Sequence, residues 1–469
     1  MERNPPSSIL LVGSGVFGLS TAWALTKRPL FADTAITVVD QAGGQFPPPD
    51  SASVDSSRII RADYADSHYT ALATLAQQEW RRQGDDELGG QGRYSESGLV
   101  LTADKPREVK VGTRSGMDYA KESWKNVAAY AASNGYPADR IQTLESREAL
   151  NECLGADGHP GDWGYFNTLS GWADSGEGMK WLYKRVKATG RVKFVDAKVK
   201  RLETERDRVV GAKLSDGSVL RGDVVLVAAG AWTGELIDLR GRVEATGHVL
   251  GYVDITEEEL AVLAKRPVVL NLSSGLFIIP PRDKTLKVAR HSFGYLNPET
   301  VTNALPPSPS SARAPIVVSR PATNRDGGLS HLPHEADVDL RRALRDLVPI
   351  KGLESRPWTQ TRLCWYSDTK DGDWLVDWHP GWKGLFIATG DSGHGYKFLP
   401  VLGDKVLDCL LGKGGELGQK WAWKEIEDDG VGKEVDGKFN GLITRDGSRG
   451  GYPGMVLQEE LKRTAVSPF

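Results

Sequence analysis

The apolar and polar positions divide the chain into recognisable units. Ile9–Val12 is an unbroken apolar run, as a parallel strand buried on both faces requires. Gly13, Gly15 and Gly18 follow with G-x-G-x-x-G spacing, and a helical pattern runs from Leu19 to Leu25. A second strand-like run, AITVVD, ends in Asp40. Strand, tight turn, helix and strand make a dinucleotide-binding unit. The first glycine turns the chain, the second admits backbone to a pyrophosphate, and the third packs helix on strand. The helix start offers unpaired N–H groups and a positive dipole end to phosphates. Asp40 stands where a ribose-binding acid belongs, roughly 20 residues on.

Further runs extend the picture. Gly222–Leu236 reads as a buried strand entering small residues and a helix start, preceded by the hairpin pattern AKLSDGSVLRGD with an Asp-Gly turn. A strand that returns late to the first sheet favours FAD over NAD. Phe277–Ile279 and Leu286–Arg290 predict a hairpin about Pro281–Lys284, and period-two alternation puts Lys287, Ala289 and His291 on one face. WLVDWHPGWKGLFIATG predicts two strands with a turn at His379, Pro380 and Gly381, and GDSGHGYKF a Gly-rich loop opening a helix. DVDLRRALRDLVPI predicts a capped amphipathic helix, and the Pro/Ser/Ala-rich stretch 304–328 an exposed loop.

Composition narrows the function. With 469 residues the chain is long enough for two domains. A net charge of −3 gives no basic surplus for nucleic acid. The three cysteines, Cys153, Cys364 and Cys409, form neither a disulfide framework nor a zinc spacing, and no metal site is expected. No apolar run reaches transmembrane length, the N-terminal run is too short for a signal peptide, and the last residues are not a peroxisomal tripeptide. A cytoplasmic protein without a membrane partner is expected.

The nucleotide fingerprint, SSRIIRADY, the AAGAWT strand, NTLSGWADSGEGMKWL and CWYSDTKDGDWLVDWHP…ATGDSGHGYKF together resemble the monomeric sarcosine oxidase and fructosyl amino acid oxidase (amadoriase) family, nearer its fungal amadoriase branch. The likeness is weakest in about 96–145, 300–345 and 425–469. It implies an α/β (α+β) two-domain protein of the D-amino-acid oxidase type. A Rossmann-like FAD domain would come from 1–95, 160–235 and 355–469, and a substrate domain with a mainly antiparallel sheet from 96–159 and 236–354. It implies FAD joined covalently through the Cys364 sulfur, with Ser57, Arg58, Asp391, Gly393, His394, Gly395 and Lys397 beside it. Arg61 and Lys397 would hold a substrate carboxylate, and Lys287 would promote reaction with O2. On composition alone Arg58 and Arg61 read as solvated, Lys287 as a surface lysine and Cys364 as a buried free thiol.

His291 departs from the amadoriase pattern, which has a glutamate there for the sugar; sarcosine-oxidase-like members have histidine. The C-terminal arginine with which amadoriases grip the amino-acid carboxylate has no clear counterpart in the diverged tail. A secondary amino acid, N-methyl or cyclic, therefore fits better than a sugar amine. His291 could orient the amine or a phenol, or be a satisfied strand histidine; His248 is a second candidate. The expected reaction passes a hydride equivalent to the flavin, leaving an imine and hydrogen peroxide. The imine is then hydrolysed, or trapped by ring closure of an electron-rich aryl group, as in fungal secondary metabolism. The alternatives are a fructosyl amino acid oxidase, a flavin dehydrogenase with a protein electron acceptor, or a non-catalytic flavin binder. Small-molecule amine and O2 are the expected partners of a monomer.

Overall fold

The computed structural model describes residues 4–105, 112, 114–323, 331–427, 430, 431, 433–435 and 438–466. Its first sheet has six strands in the order Leu375–Trp378, Leu385–Thr389, Val224–Val227, Ser8–Val12, Ala35–Asp40, Val192–Asp196. Every neighbouring pair is parallel except the edge strand Leu375–Trp378. Leu10, Leu11, Val225, Leu226, Phe386 and Ile387 are all buried, because both faces of this sheet are covered. On one face lie helices Val16–Lys27 and Leu399–Leu410, so close that a Cβ at Gly403 would sit 1.9 Å from the Ser20 carbonyl oxygen. On the other lies a three-stranded antiparallel sheet, Val199–Glu205, Arg208–Leu214 and Val219–Arg221, whose last two strands are the expected Asp-Gly hairpin.

The second sheet has eight strands in the order Gln360–Asp368, Glu244–Asp254, Thr285–Arg290, Leu276–Ile278, Val268–Asn271, Leu99–Ala103, Trp163–Asn167, Ile141–Leu144. All its pairs are antiparallel except Val268–Asn271 with Leu99–Ala103. The predicted hairpin is present, with Phe277 opposite Ala289. Alternation along Thr285–Arg290 sends Leu286 and Val288 into an apolar cluster with Leu340 and Leu344 of helix His334–Leu347. Lys287 and Ala289 face the other way, towards the first sheet's domain.

Three expectations need correction. The stretch expected to be an exposed loop contains strand Ile316–Ser319, paired with Pro298–Val301, because Ile316 and Val318 bury apolar side chains; residues 324–328 lie outside the described residues. The helix expected at DVDLRRALRDL begins earlier, at His334 after Pro333, and has no side-chain cap; Glu335 and Asp337 in its first turn favour the dipole instead. Strands Trp163–Asn167 and Gln360–Asp368, assigned above to the nucleotide domain, belong to the eight-stranded sheet, since their hydrogen-bond partners lie there. No helix among the described residues is long and apolar enough to cross a membrane.

Candidate active site

The glycine turn is shaped by packing. Gly13 lies at φ +105°, and a Cβ there would meet the Ala228 carbonyl oxygen at 2.3 Å; one at Gly18 would meet the Gly13 carbonyl at 2.0 Å. Gly15 meets only the hydroxyls of Ser51 and Ser53, at 3.4 and 3.5 Å, across a cavity of about 210 Å³. Asp40 lines the same cavity, and its Oδ2 accepts from Ser14 N (2.8 Å) and Ser14 Oγ (2.7 Å). A side chain at 15 would intrude on this cradle, so the glycine turn, strand end and acid fit a dinucleotide.

Two smaller cavities meet where the sheets approach. One, of about 60 Å³, is lined by Arg58, Arg61, Phe277, His291, Tyr366, Gly393, His394 and Lys397 among others, and no carboxylate among the described residues lines it. The other, of about 150 Å³, shares Arg61, His291 and His394 and adds Tyr64, Tyr119 and four carboxylates, Asp66, Asp371, Asp373 and Asp446. Arg61 and Lys397 come from distant segments yet stand over one ring: the Arg61 Cζ is 4.8 Å and the Lys397 Nζ 5.3 Å from the Tyr64 centroid. Arg61 Nη1 is buried without a hydrogen-bond partner among the described residues. Lys397 Nζ donates to the His394 carbonyl at 2.9 Å. Burial, and then the neighbouring Arg61, hold the Lys397 ammonium well below its ordinary range. Nearby carboxylates are committed elsewhere: Asp63 accepts from Tyr165, Asn167 and Ser170, and Asp391 from Ser367.

Lys287, expected on composition to be a surface residue, is buried at 3 % exposure. Its Nζ pairs with Asp55 Oδ2 at 2.8 Å and donates to the Ser57 carbonyl at 2.8 Å. Burial pulls its ammonium down to about 8, with Asp55 pulling the other way. Asp55 also holds Arg58 Nη1 on Oδ2 and accepts from Tyr252 OH on Oδ1 at 2.6 Å. Burial opposes its ionisation, but Lys287 and Arg58 together bring it below the usual carboxylate range. Arg58 Nη2 then reaches Cys364 Sγ at 3.4 Å, so the buried cysteine, packed beside Leu250, Tyr252 and Ala289, also stands against a guanidinium. Arg58 and Arg61 are thus not solvated.

The Gly-rich loop closes the site from the first sheet. A Cβ at Gly393 would strike the Tyr366 ring at 2.2 Å, and one at Gly395 would press on Asp391 Cβ at 3.1 Å. His394 lies between Tyr64 OH (3.1 Å from Nδ1) and the Gly372 carbonyl (2.8 Å from Nε2), so the ring donates from Nε2. The two histidine candidates separate. His291 lines both cavities. His248 lies opposite Cys364, stacked on Tyr366 at 3.8 Å with its Nε2 near Thr246 Oγ1, and lines neither.

Two participants went unread in the sequence. Asp55 sits three residues before Arg58, a spacing that could have marked a local ion pair. Arg449 comes from the diverged tail, where nothing in the pattern announces it, and its Nη1 lies 3.2 Å from His291 Nδ1. The tail therefore places a buried arginine against His291.

Comparison with known proteins agrees with this geometry. Residues 8–408 match the family model described as FAD dependent oxidoreductase. The chain is 32 % identical over 472 residues to the amino acid oxidase imqH of Aspergillus flavus, covering 90 % of this chain and 96 % of that protein. It is 30 % identical over 436 residues to the L-saccharopine oxidase of Schizosaccharomyces pombe, covering 90 % and 94 %. The fold matches a modified fructosyl peptide oxidase from Aspergillus nidulans with a TM-score of 0.77 at 23 % identity, over 97 % of this chain and 99 % of that one. A cradle fit for a dinucleotide and a family match over most of the length lead to one conclusion: the chain belongs to the FAD dependent oxidoreductase family, among its amino acid and amine oxidases.

Proposed function

We propose that this chain oxidises a secondary amine bearing a carboxylate, an N-methyl or cyclic amino acid being the substrate class. The observation that carries this reading is the carboxylate-free cavity with Arg61 and Lys397 side by side, one guanidinium nitrogen unpartnered. Two buried cations with no lining carboxylate call for an anion, and a planar guanidinium suits a carboxylate. The same cations disfavour an ammonium, so the amine is taken up neutral, with its lone pair free.

Gly13, Gly15, Gly18 and Asp40 hold the nucleotide half of FAD, with Ser57, Arg58, Asp391, Gly393, His394 and Gly395 nearer its reactive half, and FAD supplies the hydride acceptor. Cys364, with Arg58 Nη2 at 3.4 Å from its Sγ, is the covalent tether. Arg61 and Lys397 hold the substrate carboxylate, which places the carbon–hydrogen bond next to nitrogen for oxidation to an imine. Lys287 lends positive charge where O2 takes up electrons to become hydrogen peroxide. The imine is then hydrolysed, or attacked by an electron-rich aryl ring of the same molecule to make a new ring, a reaction at home in fungal secondary metabolism.

An anaerobic screen of N-methyl, cyclic and fructosyl amino acids for loss of flavin colour tests the reading. Bleaching by the first two classes supports it; bleaching by fructosyl compounds alone overturns it. That second reading is opposed by histidine at 291 in place of the sugar-binding acid. Peroxide yield near one per turnover excludes a dehydrogenase that uses a protein acceptor. Acid precipitation tests the tether: flavin stays with the wild-type protein and leaves Cys364→Ala.

A further inference from the structure

The tail docks beside the end of strand Thr285–Arg290. Gly450 N donates to the His291 carbonyl (3.2 Å), His291 N donates to the Gly275 carbonyl (2.6 Å), and Ser292 bridges to Gly450. This docking brings Arg449 Nη1 to 3.2 Å from His291 Nδ1. A guanidinium carries donors only. The ring nitrogen facing it must offer a lone pair, and an imidazolium would set N–H against N–H. The proton of the neutral ring is therefore left on Nε2.

Arg449 is itself fixed. Its Nη2 pairs with Asp368 Oδ1 at 2.6 Å and donates to the Ser392 carbonyl at 2.9 Å. Asp368 Oδ2 accepts from Thr246 Oγ1 at 2.6 Å. The pair is almost fully buried, at 1 % and 2 % exposure, so swinging the guanidinium away would strand a buried carboxylate. The free edge of the His291 ring borders both cavities, and its Nε2 has no partner among the described residues.

We propose that the Arg449–Asp368 pair holds His291 in the neutral Nε2–H form, which makes it a hydrogen-bond donor to an acceptor atom of the substrate. For the substrate this rests on the oxidase reading; for the ring it stands alone. The group opposite His291 is then an oxygen acceptor, such as a carbonyl, hydroxyl, phenol or second carboxylate, and not an ammonium. Arg449 is a positioning residue here and His291 the contact.

The surroundings keep the ring from switching. Arg449 faces it from the tail, Arg61 from the segment after strand Arg58–Ile60, and Lys397 from the Gly-rich loop. His248 lies 6.4 Å away on the neighbouring strand and Tyr366 6.0 Å away on the next. His394 lines both cavities, and Asp446, Asp66, Asp371 and Asp373 line the larger of the two. Burial, and then Arg449, hold the His291 imidazole well below its ordinary range.

Nitrogen-15 correlation spectra of the histidine rings in the holoenzyme test this, with the His291 signal assigned by its loss in His291→Gln. The wild-type ring should show the neutral Nε2–H pattern unchanged from about pH 5.5 to 8. In Arg449→Met/Asp368→Asn, which removes the facing donors and both buried charges together, the ring should stay neutral, since burial, Arg61 and Lys397 remain, but should show the Nδ1–H form beside Nε2–H. A wild-type ring with its proton on Nδ1, or titrating in that range, overturns the proposal, as does a double-variant ring that keeps the pure Nε2–H pattern. His291→Gln, which keeps a donor, should hold KM within about threefold, and His291→Leu should raise it about tenfold; equal losses would remove the donor role. The spectra need no turnover, so an amine screen that finds no substrate would sink the oxidase reading and leave the tautomer result in place.

Discussion

Two groups of buried cations lie within one site, and they are built oppositely. Lys287 and Arg58 converge on Asp55, which also accepts from Tyr252, so each charge is met by a carboxylate. Arg61 and Lys397 share the Tyr64 ring, and no carboxylate among the described residues lines the small cavity they both border. Buried charge is costly unless compensated. The first group is compensated by the protein and is therefore part of the fold. The second is not compensated in this way, and on the proposed reading a substrate carboxylate supplies the counter-charge.

Four measurements sharpen or break this contrast. The largest effect belongs to Asp55→Asn, which strands the buried Lys287 and the half-buried Arg58 and should lower stability by about 3–5 kcal/mol, read by denaturant unfolding. Arg61→Met should cost little or even stabilise, because it removes a charge that has no carboxylate partner in the cavity; equal losses in the two variants would erase the distinction. Next, Lys287→Met should slow reoxidation by O2 roughly 10²–10³-fold while leaving anaerobic reduction by substrate nearly intact, as stopped-flow traces would show. A variant slowed equally in both half-reactions would deny Lys287 its separate role.

Arg61→Met or Lys397→Met should act the other way round. Each should weaken substrate binding about 10–100-fold, seen in the concentration dependence of anaerobic reduction, with reoxidation unaffected. The smallest effect is one of pH. Burial brings Lys287 to about 8, so its cation predominates below that value and is lost above it. The reoxidation rate should fall as pH rises through about 8, and a flat profile from pH 7 to 9 would detach the lysine's charge from the oxygen step.

Local pattern carried much of this picture. The glycine turn, its flanking strands and Asp40 were legible because each residue's reason lies within a few positions of it in the chain. The hairpin bearing Lys287 was legible as an alternation, and the motif set made Arg61, Lys397 and Cys364 members of one site by resemblance. The strand Ile316–Ser319 was hidden by the prolines and serines around it, and the start of helix His334–Leu347 by the lack of a capping side chain. Strands Trp163–Asn167 and Gln360–Asp368 could not be assigned to a sheet from their own composition, because sheet membership is a property of the partner.

By itself, then, the sequence determined the nucleotide unit, the hairpin faces and the residue types available for chemistry, since turns, periodicity and donor inventories are local. Only the tertiary structure decided which charges meet. Asp55 joins Lys287 because loop and strand cross, and Arg449 reaches His291 because the tail docks on the sheet's end. Electrostatic pairing depends on distance in space and on burial, and neither is written at any single position of the chain.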